Sequence, residues 1–347
     1  MDKIPHRLDN VNYRGRRIYH ITMVTEGRRC ILGHVEGNPD IPAGQPGAPC
    51  TRSSELGKAV ITCLRSIPHF HPEARLIAYQ LMPDHLHFIL FITADGGDHL
   101  GRIIQGFKIG CNKAYRVVGG PAILSQAQKQ VGGPAIIAQA QERRRPTTEE
   151  RKHGLLWQTS YYEKPLSGKD QLERMIAYVH DNPRRLLLKR QHSHLFHPVP
   201  LPVSLPSVEN PLAVGNLSLL SSPRRIAVRI SRRISQAALQ EALAHIMEAA
   251  HSGAVIISPF ISPGEVAVRD ALLTANLPYI RIDGEGFSPY YKPPGYEIAA
   301  VAATSLLIIA PWPYSPRRIR LTKADFEAMN AIAAQLGTER WNFAPEH

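Results

Sequence analysis

The run Leu81-Met82-Pro83-Asp84-His85-Leu86-His87-Phe88-Ile89-Leu90-Phe91-Ile92 constrains the fold of this chain more than any other segment. From Phe88 to Ile92 the apolar residues continue without alternation, the pattern of a strand covered on both faces and therefore interior to a sheet. Side chains alternate across a strand, so His85 and His87 point to one face and Leu86 to the other. Two imidazoles side by side on a buried strand make half of a metal site. A pair that only hydrogen-bonds within a core is the alternative.

A candidate for the other half lies in residues 171–183. Leu172, Met175, Ile176 and Val179 follow the spacing of an amphipathic helix. Pro183 disfavours helical geometry at the residue before it, so the helix is expected to end near Asn182. Tyr178 and Asn182 are four apart and share a helical face. A phenol and an amide oxygen presented together suit a nucleophile beside a metal ligand. Taken singly, Tyr178 is equally a core or interface aromatic, and Asn182 can end the helix by bonding its own backbone.

Residues 78–92, the block Leu156-Trp157-Gln158-Thr159-Ser160-Tyr161-Tyr162-Glu163, and Tyr178-Val179-His180-Asp181-Asn182-Pro183 carry a resemblance. They are similar to the IS200-like single-tyrosine HUH transposases, and among those to the REP-associated tyrosine transposases of bacteria. Residues 17–25 and 103–108 fit in the expected order, so the resemblance covers about residues 14–190. It implies an α+β domain, a ferredoxin-like antiparallel sheet with helices on one face. It also implies an enzyme that cuts and rejoins single-stranded DNA beside hairpin-forming repeats. In that reading His85, His87 and Asn182 hold a divalent metal, Mg2+ or Mn2+, and Tyr178 attacks the scissile phosphate. The products are a 5′-phosphotyrosine and a free 3′-hydroxyl.

The chemistry is reasonable on its own terms. A free tyrosine titrates near pH 10 and is a poor nucleophile without help. A cation supplies Lewis acidity at the phosphoryl oxygen. Two imidazoles with an amide oxygen suit manganese, with magnesium the alternative. A monomer and a homodimer are both open. The competing function is a catalytically inactive or regulatory protein that binds single-stranded or hairpin DNA.

Charge favours a polyanionic partner. The formal net charge is +12 and the sequence pI is about 9.7. Residues 1–235 hold 33 Lys/Arg against 18 Asp/Glu, whereas residues 236–347 hold 8 against 11. Arg14, Arg16 and Arg17, with Arg184 and Arg185, flank the resembling region and are candidate DNA contacts. Lys108 is either a phosphate contact or a solvated helix lysine. Cys30, Cys50, Cys63 and Cys111 show no CxxC spacing and read as thiols of a reducing compartment. Residues 1–7 lack an apolar signal core, and no stretch reaches membrane-span length. The expectation is a cytoplasmic protein with no membrane partner.

Composition divides the chain into an expected first domain (1–192), a proline-rich linker (193–235) and a smaller α/β domain (236–347) of unassigned role. Residues 37–50 are expected to form a loop after an initial hairpin. Residues 118–128 recur at 131–141, a period of 13 that reads as a mobile insertion over 117–153. In the last third, a helix at 236–250 precedes apolar strands at 254–258, 279–282 and 305–310. Strand-helix alternation of this kind predicts a parallel, three-layer, Rossmann-like sheet. It loosely resembles the DprA and LOG proteins, which handle DNA or nucleotides. Ser262, Pro263 and Glu265 predict a capped helix start. The loop 259–265 either binds a phosphate there or is a plain tight turn.

Overall fold

The strand expected around the histidine pair forms, and it is interior. In the computed structural model the described residues are 13–41, 44–118, 156–206, 208–289, 291–315 and 321–344. The chain divides into two compact units, Met1–Leu187 and Leu188–His347.

In chain order the first unit carries β1 (Arg17–Val24), β2 (Gly33–Glu36), β3 (Cys50–Ser53), α1 (Glu55–Arg65), the short α2 (Ile67–Phe70), β4 (Ala74–Leu81) and β5 (His85–Ile92). It continues with α3 (Leu100–Val117), β6 (Tyr162–Leu166) and α4 (Lys169–His180). Strands β4, β5, β1 and β6 lie side by side in that order, all antiparallel. β2 and β3 form a ladder of their own. The Gly- and Pro-rich loop connects these two strands, so it lies within the hairpin and not after it.

Alternation on β1 and β5 decides what covers each face. Tyr19, Ile21 and Met23 of β1 and Leu86, Phe88, Leu90 and Ile92 of β5 bury one face. Against it lie Leu56, Val60 and Leu64 of α1 and Ile103, Ile104, Phe107 and Cys111 of α3. These residues repeat at three- and four-residue intervals, one stripe per helix. The opposite face offers Ile18, Ala78, Ile89 and Leu166, covered by Leu172, Met175, Ile176 and Val179 of α4. Helices therefore flank both faces, a correction to the one-face arrangement that was expected. The tyrosine helix carries its own apolar stripe and needs a surface to bury it.

Gly168 sets the path into that helix. Its φ of 85° and ψ of 155° fall in a region open essentially to glycine alone, which lets the chain fold back from β6 over the sheet. At its other end α4 stops at His180, Asp181 makes a turn, and α5 (Asn182–Gln191) begins at once. Pro183 thus sits in the first turn of a new helix, where a missing N–H breaks no bond. The repeat insertion lies outside the described residues except for Val117 and Val118.

The second unit carries β7 (Val199–Pro200), β8 (Leu212–Gly215), β9 (Arg225–Ile230), α6 (Gln236–His251), β10 (Val255–Ser258), α7 (Pro263–Ala275) and β11 (Tyr279–Ile282). After these come α8 (Ile298–Ala302), β12 (Leu306–Ala310), α9 (Lys323–Leu336) and β13 (Glu339–Phe343). The sheet order is β13-β9-β10-β11-β12-β8-β7. The first five strands are parallel and the last two join antiparallel. Ile246 of α6 and Val268 and Leu272 of α7 bury one face, and Met329, Ile332 and Ala333 of α9 the other. The stretch 193–235, expected as a linker, supplies three strands of this sheet, and the division falls at 187/188 within α5. Its prolines sit between and at the ends of short strands, and Pro200 lies on the edge strand, where no ladder N–H is required.

The capping box at the start of α7 forms. Glu265, 3% exposed, accepts from Ile230 N through Oε1 at 3.1 Å and from Ile261 N through Oε2 at 2.8 Å. Within the loop the Ile261 and Ser262 amides are thus held by the chain's own carboxylate.

Candidate active site

The site lies on the α4 face of the first unit's sheet. Register aligns Thr22 of β1 with His87 of β5, Gln80 of β4 with His87, and His20 with Lys164 of β6. His20, Thr22, His85, His87, Tyr162 and Lys164 accordingly share one face, two residues apart along each strand. Tyr178 of α4 descends onto them. Its ring centroid lies 5.8 Å from that of His87 and 6.0 Å from that of His20, edge-on to both. His85 and His87 are 4.8 Å apart and perpendicular.

Each histidine of the pair is held at one ring nitrogen. His85 Nδ1 meets Asp84 Oδ1 at 2.5 Å, and Arg28 pairs with the other Asp84 oxygen at 3.3 Å. His87 Nδ1 lies 2.9 Å from Thr22 Oγ1 and 3.2 Å from His20 Nε2. His20 stacks on His87 at 5.3 Å. Tyr162 stands at the site's edge, 56% exposed, with its ring 6.5 Å from His20.

Burial sets the charge state. His20 titrates at about 4, lowered by burial and then by the Lys164 ammonium. Burial, then the neighbouring His85, His20 and Arg185, holds His87 well below the ordinary imidazole range. Both rings are neutral at neutral pH, the state in which imidazole binds a metal. Asp84 is held below the usual carboxylate range. Burial pushes it up, but the His85 bond and the Arg28 charge outweigh that. It remains an anion that can orient His85.

The donor set fits a divalent cation. A histidine that ligates through Nε2 carries its proton on Nδ1 and gives it to a carboxylate or another acceptor, which fixes ring and tautomer. Asp84 provides that acceptor for His85, and Thr22 or His20 provides it for His87. The third expected ligand is arranged differently. Asn182 donates its amide N–H groups to the carbonyls of Tyr178 (2.8 Å) and Val179 (3.1 Å). Through its nitrogen it thus caps the end of α4. A further group, His71, Glu73 and Asp98, brings ligand atoms within 4.8 Å of one another. His71 Nδ1 lies 3.0 Å from an Asp98 carboxylate oxygen, and Glu73 accepts from the Asp98 amide.

The basic candidates separate. Arg185 lies over the Tyr178 ring, its Cζ 4.5 Å from the centroid, and its Nε donates to Asp181 at 2.7 Å. Arg184 turns away and donates to the Pro39 carbonyl. Arg14 and Arg16 are exposed. Arg16 and Arg17 line a depression of about 550 Å³ with Ile18, Phe91 and Pro165, at the opposite end of the β1–β5 ladder from His85. Lys108 is a correction. It is 4% exposed, lies on the α3 side of the sheet, and donates to the Gln158 and Thr159 carbonyls at 2.8 Å each. Burial lowers its ammonium to about 8. It is an internal brace. His20, Thr22 and Asp84 escaped notice as site residues, although His20 and Thr22 show the same two-residue spacing as the histidine pair.

No family model matches the chain. An uncharacterised protein of Haemophilus influenzae is 27% identical over 183 residues, 51% of this chain and 86% of that protein. Among solved structures, DNA processing protein A of Helicobacter pylori, described for its single-stranded DNA binding mode, is 19% identical. It matches 44% of this chain and 71% of its own, with a TM-score of 0.35. A REP-associated tyrosine transposase bound to a REP hairpin is 12% identical over 51% of this chain and 73% of its own, with a TM-score of 0.28. Scores this low carry no argument about chemistry. Among the described residues, no helix is long and apolar enough to cross a membrane.

Proposed function

We propose that the first unit cuts and rejoins single-stranded DNA through Tyr178, with a divalent metal held by His85, His87 and the Asn182 oxygen. The observation that carries this reading is the meeting of Tyr178 with the buried, neutral imidazoles of His87 and His20, on a face where Asp84 holds His85 and Thr22 holds His87. A core histidine pair satisfied by its own bonds needs neither a carboxylate behind it nor a tyrosine edge in front. When bound, the cation supplies Lewis acidity at a non-bridging phosphate oxygen. Tyr178 Oη attacks phosphorus and displaces the 3′ oxygen. The proton lost from the phenol balances the one gained by the leaving hydroxyl. The phosphodiester energy is kept in the phosphotyrosine bond, so the 3′-hydroxyl can reverse the step. A Mg2+ or Mn2+ ion suits the donor set, and the excess of basic residues suits DNA.

The test is capture. Full-length protein, Mn2+ and labelled single-stranded hairpin oligonucleotides are incubated and resolved on a denaturing gel. A labelled protein band is expected from the wild type and from neither Tyr178→Phe nor His85→Ala. Binding of the oligonucleotides without any covalent band would leave a DNA-binding protein in place of the enzyme.

A further inference from the structure

Arg185 lies over the ring of the proposed nucleophile, its Cζ 4.5 Å from the Tyr178 centroid, and its bonds leave it incomplete. The side chain is 13% exposed. Asp181 takes only its Nε–H. Its Nη1 is buried and has no hydrogen-bond partner among the described residues. A buried guanidinium N–H without an acceptor is costly, because the group has given up water and gained nothing in return. Such a vacancy beside a nucleophile calls for an anion.

The local chain explains how this cation comes to lie there. Asp181 and Arg185 are one helical turn apart across the break between α4 and α5, so the ion pair folds Arg185 back over Tyr178. Arg184 points elsewhere, to Pro39. Of the nearby carboxylates, Asp84 faces His85 and Arg28, and Asp181 is engaged by Nε. Neither reaches Nη1.

Resting on the reading that Tyr178 cuts DNA, we propose that Arg185 grips the scissile phosphodiester, its free Nη1 donating to a non-bridging oxygen while its plane holds the Tyr178 ring. A planar guanidinium offers a fork that matches phosphate geometry. Stacked on the attacking ring, it brings the phosphorus within reach of Oη. It also supplies positive charge where charge grows in the transition state.

The experiment uses the full chain. Wild-type protein with Mn2+ first maps the cut position through the covalent band. In EDTA, so that no metal reads the same oxygen, Tyr178→Phe protein, with and without Arg185→Gln, then binds oligonucleotides carrying either a phosphodiester or an uncharged methylphosphonate at that position, read by fluorescence anisotropy. With Arg185 present, the methylphosphonate is expected to bind about ten-fold more weakly, the scale of one charge-assisted hydrogen bond. With Arg185→Gln the two oligonucleotides should bind alike, both at the weaker level. Equal weakening of both by Arg185→Gln would make the residue a brace for the tyrosine and overturn the proposal. So would equal affinity for the two in the arginine-containing protein, an outcome that needs no substitution at 185. If no oligonucleotide is captured at all, the Tyr178 reading fails and this one with it. Capture without discrimination at the cut phosphate sinks only the role of Arg185.

Discussion

Asp84 and His20 stand behind the candidate ligands, and each makes a separate prediction. Removing the charge of an acceptor behind a metal-bound histidine typically costs about 10–100-fold in metal affinity. Asp84→Asn is therefore expected to weaken Mn2+ binding on that scale, measured by titration calorimetry, while the fold survives. Unchanged affinity would separate His85 from any metal. His20 predicts a pH dependence of stability. Its folded value is about 4 against an ordinary 6.5, so above pH 6.5 the ring is neutral whether the chain is folded or not. As pH falls below 6.5 the unfolded chain takes up a proton that the folded one refuses. Stability is thus complete above 6.5 and lost towards pH 4, by about 3 kcal/mol in all. His87 is shifted in the same direction. Urea unfolding in EDTA at pH 7.5 and 4.5 should show wild type losing more stability than His20→Gln, and parallel losses would refute the assignment.

At the scale of elements, the entry to α4 matters most, because that helix delivers the tyrosine. A Cβ at Gly168 would meet nothing within 4 Å, so the cost of Gly168→Ala is backbone strain alone, about 1–3 kcal/mol at this φ and ψ. A melting point lower by several degrees, with a smaller covalent yield, is expected; an unchanged melting curve would show that the turn has another route. The elements themselves were largely legible. The unbroken apolar run on β5, the stripe on α4 and the Ser262–Glu265 capping box are local patterns, and each formed. What was not legible depends on pairs distant in sequence. His20 meets His87 only because β1 lies beside β5, 67 residues away, and Lys108 finds its two carbonyls 50 and 51 residues on. Residues 193–235 were misread for a related reason. Their prolines exclude long elements, but two- to six-residue strands fit between them once a neighbouring strand supplies the ladder.

For the whole molecule the charge is uneven, and that asymmetry has a measurable consequence. The first unit holds 26 Lys/Arg against 17 Asp/Glu and the second 15 against 12. DNA is therefore expected to be held by the unit that carries Tyr178. If Arg185, Lys164 and one of the Arg14–Arg17 group each neutralise a phosphate, the logarithm of affinity should fall with the logarithm of salt at a slope of about −2. Raising salt from 50 to 200 mM would then weaken binding roughly twenty-fold. The covalent yield at saturating DNA should stay constant over that range. Screening acts on exposed charges, whereas Tyr178, His20, His87 and Arg185 meet in a largely buried cluster. The two measurements thus divide attraction from chemistry. A slope near zero would remove the basic surface from the account of binding. A saturated yield that falls in step with affinity would mean that the exposed charges also position the phosphate for attack.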